Sequence, residues 1–130
     1  MQHPAADMSR FVAAVMLLAV GGCSGHDKTA ALDALGSWTA TSSMVGEAWL
    51  RGAVPDAYAA RALGTAADKV RRYVRLLSAG SDRESAEHTA RALTAVHHGV
   101  EARNRAAVGE ALAALRTASA RFTSQERTTR

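Results

Sequence analysis

The chain offers few residues that could do chemistry, and the most reactive of them is a lone thiol. Cys23 is the single cysteine among 130 residues, and it follows directly on an apolar run, 11–22, that ends in two glycines. A thiolate attacks well when it is accessible, and Gly21 and Gly22 leave the neighbouring backbone open to a peptidase. One cysteine excludes an internal disulfide and any zinc site built on several thiolates. The histidines downstream are His26, His88, His97 and His98. On a helix His88 and His97 stand half a turn out of phase, and the adjacent His97 and His98 leave the axis about 100° apart. They are therefore not expected to share a metal. The chain has Glu84-xxx-His88 but lacks the Glu-x-x-His pairs of a di-iron bundle and the CxxCH of covalent haem. Neither metal nor cofactor is expected. Without a Gly-x-Ser-x-Gly elbow, a Ser-x-x-Lys pair or a phosphate-binding glycine loop, no nucleophile has a recognisable setting. A non-enzymatic protein is expected.

The residues around the thiol give it a different role. The run FVAAVMLLAVGG spans 11–22, and Arg10 stands just ahead of it. A helix needs about 20 apolar residues to cross a bilayer, so this run is too short to span, whereas it fits the core of a signal peptide. Translation could begin at Met1 or at Met8. With Val20-Gly21-Gly22-Cys23 at its end, the segment resembles a bacterial lipoprotein precursor, whose motif is an aliphatic residue, two small residues and the cysteine. Val20 replaces the commoner leucine and Gly21 is a less usual choice. The resemblance covers about the first 24 residues. It implies that Cys23 carries a thioether-linked diacylglycerol, that cleavage falls between Gly22 and Cys23, and that the new amine is acylated. The resemblance implies a lipid anchor in the cell membrane or the outer membrane; in a Gram-negative host the family's sorting rule has Ser24, rather than aspartate, after the cysteine favour the outer membrane. The competing reading is an ordinary secretory leader with a cysteine close by.

Beyond Cys23 the pattern is helical, with small or apolar residues recurring at spacings of three and four. Ala31, Leu35, Trp38, Ser42, Val45, Trp49 and Gly52 form a first stripe, predicting a helix over 28–52 with both tryptophans on one face. Pro55 and Asp56 suit the start of a second helix, over 55–78, with Ala59, Leu63, Ala66, Val70, Tyr73 and Leu77 inward. Gly80 is its expected stop. Ser81-Asp82-Arg83-Glu84 fits a capping box for a third helix to about 102, with Thr89, Leu93, Val96 and Val100 inward. One long helix over 82–122 is the alternative, but that stripe would run onto Arg103. A fresh register of Val108, Leu112, Leu115, Ser119 and Phe122 instead favours a fourth helix capped by Asn104.

The fold expected is therefore all-α: a small antiparallel, up-down-up-down four-helix bundle after a cleaved signal peptide. Its domain organisation is a leader at 1–22, a lipidated tether at 23–27, the bundle at 28–123 and a frayed tail at 124–130. Trp38, Trp49, Tyr58, Tyr73 and Phe122 are expected to supply much of the burial.

The net charge is +4, and Arg71, Arg72 and Arg75 cluster near the end of the second helix. At i,i+4, Asp68 is expected to pair with Arg72 and Glu87 with Arg91. A basic chain often meets nucleic acid, but export would separate the two, so no nucleic-acid partner is expected. The functional expectation is a membrane-anchored envelope lipoprotein facing periplasm or exterior, held by lipidated Cys23 and binding an envelope protein or component through a helical face. The other reading is a small-ligand- or metal-binding bundle with a pocket near Trp38, Trp49 and His97. Arg71, Arg72 and Arg75 are the further candidate contacts.

Overall fold

The structure, a computed structural model, describes the backbone of residues 24–128 and the side chains of residues 28–121. The leader, Val20-Gly21-Gly22-Cys23 and the side chains of His26 and Phe122 lie outside those described. Four helices make up the rest: α1 (Ser24–Leu50), α2 (Asp56–Leu76), α3 (Ser81–Glu101) and α4 (Arg105–Thr128). Each packs on the next along the chain, α1 also packs on α4, and α1 touches α3 across the middle. Connections as short as 51–55, 77–80 and 102–104 force consecutive helices to run antiparallel. The protein is an up-down-up-down four-helix bundle.

The helix ends correct several sequence-based boundaries. Helix α1 starts at Ser24, so 24–27, read as a tether, is helical backbone. Serine and aspartate suit a first turn, where amides lack partners and the dipole is positive. At the other end Gly52 is no part of the helical stripe. It sits at φ +72°, Gly52 N–H donates to the Trp49 carbonyl at 3.0 Å, and Ala53 N–H reaches back to Ala48 at 2.8 Å. This left-handed closure satisfies orphan carbonyls and suits glycine.

Helix α2 stops at Leu76 rather than at 78. Leu77 turns to extended backbone and is buried, so the chain leaves the helix in order to cover the core. Gly80 accordingly does not end α2; at φ +149°, a region that side chains disfavour, it occupies the cap position of α3. Ser81, expected as that cap, is the first helical residue. The Asn104 cap is present, its Oδ1 accepting from Ala107 N–H at 3.1 Å. Arg103, at φ +53°, closes α3 just before it, with Asn104 N–H donating to the Gly99 carbonyl at 2.9 Å. At the far end α4 runs on to Thr128, so the expected tail from 124 is helical as far as that residue; neither proline nor glycine falls within 124–128.

The core is aliphatic. Leu35, Leu63, Val70, Leu93, Val96, Val100, Val108, Leu112 and Leu115 are fully buried, with Ala59, Ala66, Ala67 and Ala86 between them. On α1 the inward face is Ala31, Leu35, Thr39, Ser42, Gly46 and Trp49, while Trp38 and Val45 flank it half-buried. Three core hydroxyls are satisfied within their own helices, Thr39 donating to the Leu35 carbonyl, Ser42 to Trp38 and Thr89 to Ser85. Tyr73 is half-buried. Tyr58, expected inside, is 58% exposed: the adjoining Ala59 takes the inward position, and side chains one residue apart diverge by about 100°.

Candidate functional site

The turns 51–55 and 102–104 lie at the same end of the bundle, and a polar cluster joins them. Trp49 is buried at 5% exposure, and its Nε1 donates to Asp56 Oδ1 at 2.8 Å. The second oxygen of Asp56 pairs with Arg103 Nε at 3.2 Å. Arg105 lies over the Trp49 ring, 5.8 Å from its centroid, and donates to the Leu50 carbonyl. Indole, carboxylate and both guanidinium groups thus have partners, and the cluster acts as a clasp. No sequence motif marked it, because Arg103 and Arg105 lie about fifty residues beyond their partners in the chain.

A second cluster lies on α3. His97 is half-buried, and its Nε2 stands 3.2 Å from Glu101 Oε1. His98 Nδ1 approaches the same oxygen at 3.5 Å. The two rings stack with centroids 5.7 Å apart and planes 25° from parallel. Although their Cβ atoms leave the helix in different directions, side-chain rotation brings the rings back together. One ligand atom from each of His97, His98 and Glu101 lies within 4.8 Å of the others. On its inner side His97 rests against α2 at Gly64, where a Cβ would come within 3.1 Å of Nε2.

The basic cluster is plainer. Arg71, Arg72 and Arg75 are all exposed. Asp68 pairs with Arg71, one residue closer than the expected Arg72, and Glu87 pairs with Arg83 at 3.1 Å rather than with Arg91. Arg91 instead meets His88 Nδ1 at 3.0 Å. Each swap joins residues three or four apart on an exposed face, where several long side chains compete for one carboxylate.

Trp38, Trp49 and His97 do not line a common cleft among those described. A groove of about 500 Å³ is lined by His88, Arg91, Ala92, Ala114, Ala118 and Arg121. Among the described residues, Met44, Tyr58 and Leu76 are the large apolar side chains left exposed. Comparison of the chain with protein-family models, curated proteins and solved structures finds no match.

Proposed function

We propose that the chain is a lipid-anchored bacterial envelope protein whose four-helix bundle is a non-enzymatic interaction module. One observation carries the reading: the sole cysteine stands directly after an apolar run of leader length, behind Val20, Gly21 and Gly22. Among the described residues no helix is long and apolar enough to cross a membrane; in this reading the anchor is the set of acyl chains on Cys23. Each buried CH₂ contributes about 0.8 kcal/mol, which makes several chains a firm anchor where one is marginal. The bundle would then face the periplasm or the exterior, meeting an envelope component through an outward helical face.

Mass spectrometry of the native protein tests this. The expected product begins at acylated Cys23, and Cys23→Ala abolishes both the added mass and cleavage after Gly22. A free thiol with the leader still attached, or a mature terminus elsewhere, overturns the proposal.

A further inference from the structure

We propose that His97, His98 and Glu101 form a binding site for a borderline divalent transition-metal ion such as Zn²⁺, independent of any anchoring at Cys23. The donor set is two imidazole nitrogens and one carboxylate oxygen. Such a set suits zinc, copper or nickel, whereas magnesium and calcium select all-oxygen shells.

The spacing fits the metal. With bonds of about 2.0–2.1 Å, the donors around a tetrahedral Zn²⁺ lie about 3.3–3.4 Å apart. The contacts of Glu101 Oε1 with His97 Nε2 and His98 Nδ1 are 3.2 and 3.5 Å. The remaining pair lies within 4.8 Å and closes by rotation of His98, whose side chain is 69% exposed.

Two further observations favour a ligand over a plain ion pair. Gly64 lies inside α2, where glycine costs about 1 kcal/mol relative to alanine, and the room it leaves is filled by the His97 ring. That ring is thereby held in place while its Nε2 faces Glu101. The nearest guanidinium in sequence, Arg103, is directed away to Asp56, so Glu101 faces imidazoles rather than a competing arginine. Three protein ligands on an outward face leave a fourth position for water or for a donor from another molecule.

The test is titration of the purified full chain with Zn²⁺ by calorimetry and with Co²⁺ by its visible absorption. One equivalent is expected, with the spectrum of a nitrogen- and oxygen-ligated ion. His98→Ala and Glu101→Gln alter exposed side chains, so each is expected to weaken binding at least about tenfold while the metal-free circular dichroism stays unchanged. His97→Ala risks the packing against Gly64, which is why the other two variants carry the test. Absence of binding, or binding that both variants leave intact because the ion sits on His26 or His88, overturns the proposal. Neither result bears on Cys23, so this site and the lipid anchor stand or fall separately.

Discussion

Trp49 is the residue on which most depends. It combines a buried ring with a polar edge satisfied by Asp56, so truncation removes packing and leaves a carboxylate short of a partner. Trp49→Ala is expected to cost about 3–5 kcal/mol of unfolding free energy, measured by urea denaturation. Trp49→Phe retains most of the ring volume and loses the indole N–H, for an expected cost of about 1 kcal/mol beyond the packing change. A ratio near one between the two losses would show that the hydrogen bond, not the ring, dominates. Tryptophan at this position was legible as core from its place on the stripe with Leu35 and Ser42. Its partners were not, because Asp56 and Arg105 reach it through turns that periodicity does not describe. The imidazole pair at His97 and His98 was missed for a different reason. Cβ directions alone do not describe side-chain rotation, nor the carboxylate one turn further on at Glu101 that both rings approach.

At the scale of the helices, signals that act within a few residues were readable and those that depend on tertiary packing were not. Pro55 lacks an N–H and Asn104 offers a side-chain acceptor, so both mark breaks by local chemistry alone. Leu77 ends α2 because its side chain is wanted in the core, and no local pattern announces that. Gly80 is then left to make the turn at φ +149°. Open space surrounds its Cβ position, so Gly80→Ala isolates backbone strain and is expected to destabilise by about 1–3 kcal/mol. Gly36 supplies the opposite sign. It lies exposed inside α1 with nothing near a Cβ, and Gly36→Ala is expected to stabilise by about 0.5–1 kcal/mol. Thermal and urea midpoints of the two variants should move in opposite directions. Parallel shifts would mean that the α2–α3 turn is not held in the geometry described.

For the whole molecule, one core shared by four helices implies a single cooperative transition. Both tryptophans lie on α1, so fluorescence follows that helix while circular dichroism follows all four. The two curves are expected to coincide in urea; an earlier fluorescence change would reveal α1 detaching from a surviving three-helix remnant. The ends of the bundle are not equivalent, however. One is gripped by Trp49, Asp56, Arg103 and Arg105. The other holds the first turns of α1, with an ion pair of Lys28 and Asp82 at 2.9 Å whose lysine is 57% exposed, a contact of modest worth in water. Breathing should therefore be directional, with amide protons near Lys28 exchanging into heavy water sooner than those near Val96 and Val100. Held at Cys23 as proposed, the protein would turn its yielding end toward the lipid and its locked end outward, so that a partner arriving from solution meets the more rigid pole.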